Sequence, residues 1–128
     1  RNLKKLKIKK VSKKELLKKA DIIVLCVDLN KTSYRLINFK EFNIMKKNAI
    51  LINISRGSVI HEKALINALK KKKLYGAGID VFEKEPVDSK NKLLKFENCI
   101  LTSHNAFNTA EALKQVNKNT VENLIKEF

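Results

Sequence analysis

Three short, predominantly apolar runs constrain the fold of this chain more than any other feature. They occupy residues 22–27, 49–54 and 77–82, and each is rich in aliphatic side chains. Apolar runs of this length predict strands that are buried on both faces of a parallel sheet. A fourth strand is predicted at residues 99–102, and a short strand is also predicted at residues 6–11.

Segments with helical patterning separate these runs. Residues 62–73 repeat apolar side chains at a helical period. Three other helices are predicted to start where Ser or Asn is followed three residues later by Glu, which is the capping-box spacing: Ser12 with Glu15, Asn38 with Glu41, and Asn108 with Glu111. The second of these is expected to end near residue 47 and the last near residue 127. The alternation indicates an α/β fold with a parallel sheet.

The composition narrows the class of protein. A chain of 128 residues fits one domain, and a hydrophobic share of 44% can supply its core. The charge of +15 leaves nucleic-acid binding as an alternative, but only three of the 28 basic residues are Arg and no aromatic cluster accompanies them. We therefore expect no nucleic-acid partner. No apolar run approaches the roughly 20 residues of a membrane span, so we expect no membrane partner and a cytoplasmic protein.

Cysteine and histidine are too sparse for a structural metal centre. Cys26 and Cys99 both lie in apolar runs and form no CxxC pair, so they are predicted to be buried, reduced thiols. His61 precedes a helix and is interpreted as a cap or a solvated side chain. Two distant Cys and two His do not make a zinc site, and no metal is expected.

Three polar residues follow three different predicted strands. Arg56, Glu85 and His104 should meet at one sheet edge, because ligands bind beyond the carboxyl ends of parallel strands. Taken singly, each could be a surface Arg, a solvated carboxylate or a capping His. Together they match the needs of carbonyl reduction: a carboxylate anchor, an acid that orients the proton donor, and the donor itself.

Two long stretches give this chain a specific resemblance. ILINISRGSVIHEKALINALKKKKLYGAGIDVFEKEP and NCILTSHNAFNTAEAL resemble the C-terminal part of the D-isomer-specific 2-hydroxyacid dehydrogenases. The resemblance implies a Rossmann-type NAD-binding domain. It also implies that Arg56 binds the substrate carboxylate, that Glu85 pairs with the catalytic His, and that His104 is the proton donor.

The same resemblance implies contacts with NAD. On the adenine and ribose side, the contacts would come from Val27, Asp28 and Ser33. At the nicotinamide end, they would come from Ile54, Ser55 and Arg56, and Asp80 would contact the carboxamide. Asp28 stands where the family usually has Pro. An acid beside anionic phosphates is expected to weaken NAD binding and to disfavour NADP more strongly.

The glycine-rich turn of dinucleotide sites is not among these residues. The three glycines, Gly57, Gly76 and Gly78, cannot form G-x-G-x-x-G. The resemblance then predicts a fragment of a two-domain enzyme: residues 1–107 are the C-terminal half of the NAD-binding domain, and residues 108–128 form a helix that returns toward the substrate domain. We expect the isolated chain to be inactive and the full-length enzyme to be a homodimer.

The implied activity is hydride transfer between NADH and a small 2-oxo or 2-hydroxy acid. The run HNAFNTAEAL resembles the D-lactate dehydrogenase branch, which favours pyruvate and D-lactate. Two alternatives within the fold stay open, namely a phosphoglycerate dehydrogenase-like member and a non-catalytic NAD-sensing relative.

Overall fold

The structure, a computed structural model, describes residues 8–127. This part of the chain forms a parallel sheet with three α-helices packed against it, followed by a long fourth α-helix that has no buried residue. The strands are β1 (Ile22–Leu25), β2 (Ala49–Asn53), β3 (Leu74–Ile79) and β4 (Cys99–Leu101). The α-helices are α1 (Lys13–Lys19), α2 (Phe39–Ile44), α3 (Glu62–Lys70) and α4 (Ala110–Glu127).

The strand order in the sheet is β1-β2-β3-β4, and every pairing is parallel. In the centre of the sheet, Leu51 of β2 lies between Ile23 of β1 and Ala77 of β3. The predicted α/β class is therefore confirmed. Because all strands run the same way, the loops that follow β2, β3 and β4 leave the sheet at one edge.

The core lies on one face of the sheet only. It joins strand residues such as Ile23 and Leu51 to helix residues such as Leu17, Phe42 and Leu65. On the opposite face of the sheet, three aliphatic side chains are exposed to solvent: Ile22 (59%), Val24 (50%) and Ile100 (73%). The prediction that the strands are buried on both faces is wrong for β1, because α1, α2 and α3 belong to the core on a single side.

The strands end one to three residues earlier than predicted, and β3 also begins three residues earlier than predicted. Residues 27, 54 and 82 consequently lie in loops at the carboxyl edge of the sheet. Of the strand predicted at residues 6–11, residues 6 and 7 lie outside the described part, and residues 8–11 form no strand. Residues 8–11 pair with none of the four strands, and a strand needs a neighbour that takes up its backbone hydrogen bonds.

The helix starts follow the capping chemistry. The Ser12 hydroxyl accepts a hydrogen bond from the Glu15 backbone N–H at 3.2 Å, and Asn38 with Glu41 forms the full capping box. Before α4, however, the Thr109 hydroxyl accepts from the backbone N–H of Ala112 at 3.1 Å. The predicted start at Asn108 is therefore wrong by one residue.

The two ends of α3 are defined by His61 and by a run of lysines. His61 Nδ1 accepts from the Ala64 N–H at 3.3 Å, which confirms its interpretation as the cap of α3. The lysine run of residues 70–73 mostly follows α3 instead of closing it, since the helix ends at Lys70 and Lys72 has a positive φ of 52°.

Within the described residues, no helix is both long and apolar enough to cross a membrane.

Candidate active site

The Glu85 and His104 side chains meet at the carboxyl edge of the sheet. Glu85 Oε2 lies 2.9 Å from His104 Nδ1, and the other carboxylate oxygen, Oε1, accepts from the Phe82 backbone N–H at 2.9 Å. The hydrogen bond from Phe82, and after it that with His104, lowers the pKa of Glu85 below its ordinary value. An ionised carboxylate held at both oxygens fixes the ring of His104 and leaves Nε2 as the nitrogen that can face a substrate.

His104 adopts a left-handed backbone conformation, with a φ of 57°. Such a conformation is costly for a non-glycine residue and needs support from its surroundings. Asp80 supplies that support, because its backbone oxygen accepts from the His104 N–H at 2.9 Å. Its carboxylate accepts three more hydrogen bonds from the same loop: Thr102 Oγ1 at 2.5 Å, Asn105 N at 2.9 Å and Ala106 N at 3.0 Å.

Asp80 is a buried carboxylate, only 3% exposed. Burial by itself would raise its pKa, but the hydrogen bonds from Thr102, Ala106 and Asn105 outweigh burial, and the pKa is lowered from 3.8. Both of its carboxylate oxygens are occupied by the loop that carries His104. The contact with the nicotinamide carboxamide stays a prediction, and the contacts seen in the structure are those of a loop anchor.

Arg56 leaves the sheet after β2, in a turn that Asn53 holds. The buried amide of Asn53 accepts from the Ser55 N–H at 3.1 Å and from its hydroxyl at 2.8 Å, and it donates to the Arg56 carbonyl at 3.0 Å. The guanidinium is exposed, and its Nη1 donates to the Ser55 carbonyl at 2.7 Å. An exposed guanidinium on a rigid turn can receive a carboxylate in a bidentate pair.

Gly57 brings the Arg56 turn against the loop that carries Glu85. A Cβ at this position would lie 1.9 Å from the carbonyl carbon of Phe82 and 2.4 Å from the backbone nitrogen of Glu83. Only a residue without a side chain permits this backbone contact. Since the Phe82 N–H also bonds to Glu85, the close approach links the Arg56 turn to the Glu85–His104 pair.

Two cavities flank this edge of the sheet. The first, about 550 Å³, lies beyond β1 and β2, and its walls include Arg56. The second, about 580 Å³, contains Glu85 and His104 beside the apolar side chains of Pro86 and Val87. Arg56 therefore does not line the cavity that holds the other two predicted catalytic residues, and a ligand that reaches all three would have to lie across both.

The first cavity collects most of the residues predicted to contact NAD. Five of the seven line it: Val27, Asp28, Ile54, Ser55 and Arg56. Its walls offer exposed aliphatic side chains together with polar groups, which suits a flat, partly apolar ring attached to a sugar. Ile54, Ser55 and Arg56 thus fit the nicotinamide end of the cofactor, and Val27 and Asp28 are the two that the resemblance places toward the ribose.

Ser33 has a different place in the structure. Its buried hydroxyl donates to the Asp28 carbonyl at 2.5 Å and accepts from the Asn30 N–H at 2.8 Å. The side chain thereby shapes the loop after β1 and does not line the cavity. Its predicted contact with the cofactor stays a prediction.

The cysteines differ from the prediction that both are buried. Cys26 is exposed and lines the first cavity, because β1 ends one residue before it. Cys99 is partly buried, and burial raises the pKa of its thiol to about 11. Among residues 8–127, no group of three or more His, Cys, Asp and Glu side chains could hold a metal ion.

Sequence reasoning missed the residues that hold the predicted ones in place. Asn53 and Thr102 make buried or short hydrogen bonds to the two site loops, and Gly57 allows those loops to touch. One signal for Asn53 was present, since an amide that interrupts an apolar strand must find partners inside the fold. The roles of Thr102 and Gly57 depend on contacts between distant parts of the sequence.

Comparisons with known proteins point to one family. The family model for the NAD binding domain of D-isomer specific 2-hydroxyacid dehydrogenases matches residues 1–106. A glyoxylate reductase of Korarchaeum cryptofilum is 40% identical over 122 residues, which are 95% of this chain and 37% of that protein. A glyoxylate reductase of Thermococcus litoralis is 46% identical over 110 residues, which are 86% of this chain and 33% of that protein.

A solved structure agrees in fold. The D-lactate dehydrogenase of Aquifex aeolicus, complexed with NAD and lactic acid, superposes with a TM-score of 0.77 at 32% identity. The superposition covers 89% of this chain and 39% of that one. The chain thus spans about a third of the length of the curated relatives it matches.

Proposed function

The chain belongs to the D-isomer specific 2-hydroxyacid dehydrogenase family, and from that premise we propose that it contributes the anchor, the acid–base pair and the nicotinamide side of a site that reduces short 2-oxo acids with NADH. One observation carries the proposal. His104 and Glu85 form a 2.9 Å pair on loops that leave the same sheet edge as Arg56.

Arg56 would bind the substrate through its carboxylate. A guanidinium offers two parallel N–H donors to the two oxygens of a carboxylate, which fixes the orientation of the adjacent carbonyl. The link through Gly57 holds this turn against the Glu85 loop. The carboxylate end of a 2-oxo acid would then lie beside the first cavity and its carbonyl oxygen toward His104.

His104 would donate the proton to the carbonyl oxygen through Nε2. Glu85, bonded to Nδ1, keeps the ring oriented and stabilises the charged imidazolium before transfer. When bound, NADH supplies the hydride that reduces the carbonyl carbon. Ile54 would flank the nicotinamide, whereas Val27 and Asp28 would lie on the ribose side, where the Asp28 carboxylate would discourage the additional phosphate of NADP.

Glyoxylate is the first substrate candidate. Relatives that are 40–48% identical carry the name glyoxylate reductase. Arg56 and His104 would contact only the carboxylate and the carbonyl oxygen, which all small 2-oxo acids share, so these two residues do not select one of them. Pyruvate is the second candidate, since the HNAFNTAEAL run resembles the D-lactate dehydrogenase branch and solved D-lactate dehydrogenases share the fold.

A chimera tests the proposal directly. Residues 8–127 would replace the matching third of the Thermococcus litoralis glyoxylate reductase, and NADH oxidation would be measured with glyoxylate, pyruvate and 3-phosphohydroxypyruvate. We expect turnover of the first two. Preference for the phosphorylated acid would instead favour the phosphoglycerate dehydrogenase-like alternative. NADH binding without turnover of any of the three would contradict the proposal and favour a non-catalytic relative.

An Arg56→Lys variant of the same chimera separates binding from chemistry. Lysine keeps the charge but not the two parallel donors, so we expect a higher KM for the 2-oxo acid with a smaller change in kcat. An unchanged KM would remove Arg56 from the role of carboxylate anchor.

A further inference from the structure

A groove on the solvent side of α3 has a chemistry unlike that of the candidate active site. It lies between α3 and residues 84–96, and its volume is about 910 Å³. Both cavities at the carboxyl edge of the sheet are smaller, at about 550 and 580 Å³. Concave surfaces of this size bind small molecules or short peptide segments.

Exposed lysines line both walls of this groove. Six of them face it: Lys63, Lys70, Lys84, Lys90, Lys92 and Lys95. None of the six forms an ion pair with a carboxylate in the part of the chain that the structure describes. Their positive charge is therefore not balanced by side-chain contacts within that part of the fold.

The two carboxylates in the groove already have other partners. Glu62 accepts from the Asn91 side-chain amide at 3.3 Å, and Asp88 accepts from the Lys90 backbone N–H at 2.7 Å. Both are therefore committed to holding the groove walls. Six lysines against two such carboxylates leave a strongly positive concave surface.

The floor of the groove is apolar. Ile66 and Phe96 line it, and both are half-buried. The wall from Glu62 to Lys70 is two turns of helix, about 12 Å long at 1.5 Å per residue. About three or four residues of extended chain would match that length.

We propose that this groove binds an acidic, extended peptide segment of a partner protein. Its carboxylates would pair with the lysines of the two walls, and one apolar side chain would lie on Ile66 and Phe96. Charge complementarity selects the acidic residues, and the floor selects the apolar anchor between them.

Single-stranded nucleic acid fits the same groove less well. Nucleic-acid sites stack bases on exposed aromatic side chains and use arginine for bidentate phosphate contacts. Among the described residues that line the groove there is no arginine, and the one aromatic ring, Phe96, is part of the floor.

Fluorescence anisotropy of the 128-residue chain with a labelled peptide tests the proposal. The probe is a peptide of Asp and Glu residues around one central Leu, and the matched control replaces every Asp and Glu by Asn or Gln. We expect saturable binding of the acidic peptide only. The affinity should fall as salt rises above about 0.15 M, because exposed charge pairs are screened.

Paired charge reversals locate the binding. The groove variant carries Lys70→Glu and Lys92→Glu, one on each wall, and should bind at least about tenfold more weakly. The control variant carries Lys14→Glu and Lys18→Glu on α1, which changes the net charge equally but leaves the groove intact. Its affinity should stay within about twofold of the unsubstituted chain.

Amide NMR of the unsubstituted chain gives a readout that does not depend on whether a variant folds. Addition of the acidic peptide should shift the signals of α3 and of residues 84–96. Equal weakening in both variants, shifts elsewhere, or no saturable binding would each overturn the proposal. An oligonucleotide of equal charge that binds more tightly at the same residues would overturn it in favour of nucleic acid.

Discussion

His104 combines a strained backbone conformation with a proposed role in proton transfer. Its positive φ persists because Asp80 accepts the N–H of His104 itself and those of two following residues. Residues held in sparsely populated backbone conformations are concentrated at functional sites, where the surrounding structure fixes them. The backbone strain at His104 and its proposed acid–base role therefore depend on one residue, Asp80, which accepts through both its backbone oxygen and its carboxylate.

Replacing His104 by Gln in the chimera should lower kcat by about 10²–10⁴, the usual contribution of a positioned general acid. The matched control is His61→Gln, because His61 caps α3 and lies outside both cavities at the sheet edge. Steady-state NADH oxidation measures both variants. Near-normal turnover without His104 would show that another group donates the proton.

Asp80→Asn should destabilise the chain by about 1–3 kcal/mol near neutral pH, since an amide offers one acceptor oxygen where the carboxylate offers two charged ones. The pKa of Asp80 is lowered in the fold from its ordinary value of 3.8. The ionised Asp80 carboxylate therefore contributes its full share of the free energy of unfolding above its ordinary pKa. That contribution is lost as the pH falls below the ordinary pKa and through the lower pKa of the folded state. Urea unfolding of both proteins at several pH values measures the difference in their free energies of unfolding, which should shrink in acid. A difference that does not shrink as the pH falls below 3.8 would contradict the lowered pKa of Asp80.

At the scale of elements, the site depends on how closely two loops pack. Gly57→Ala should destabilise the fold by roughly 1–3 kcal/mol, toward the upper end, because the new methyl meets backbone atoms that cannot rotate away. Gly78→Ala is the matched control. Its Cβ would contact only the Ile52 side chain at an ordinary 3.7 Å. Measured by thermal unfolding, the stability of the Gly78→Ala control should stay within about 1 kcal/mol of that of the unsubstituted chain. If both variants lost equal stability, the close backbone approach at Gly57 would not be the cause of the destabilisation.

The strands and the positions of Arg56, Glu85 and His104 were predictable because they follow from local patterns. Apolar runs predict strands, and a parallel sheet brings the residues after them to one edge. The one-sided burial of β1, the exposure of Cys26 and the anchoring by Asp80 were not predictable in this way. Each depends on which distant segment packs alongside, and a single sequence does not encode those contacts in any short spacing.

At the scale of the whole molecule, the chain carries only part of what a dinucleotide needs. The first cavity offers contacts for the nicotinamide end, but none of the three glycines forms the turn that presents backbone N–H groups to the pyrophosphate. Loss of several charge-assisted hydrogen bonds, at about 1.5–3 kcal/mol each, weakens affinity by orders of magnitude.

The purified 128-residue chain should therefore bind NADH only weakly and should not reduce pyruvate. Isothermal titration calorimetry with NADH is the measurement, and the chimera serves as the positive control. One micromolar site per chain would contradict the expectation and would indicate a phosphate-binding site elsewhere in these residues.

The four strands lie in the sheet in the same order in which they occur along the chain, β1-β2-β3-β4. A nascent chain leaving the ribosome could therefore add each strand to the one already formed, without waiting for a later segment to insert between them. The acid–base pair would be the last part to form, because Glu85 meets His104 only after β4 has joined the sheet. The order of translation would then set the time at which the site is completed, and a ribosome stalled before β4 would expose Arg56 without His104.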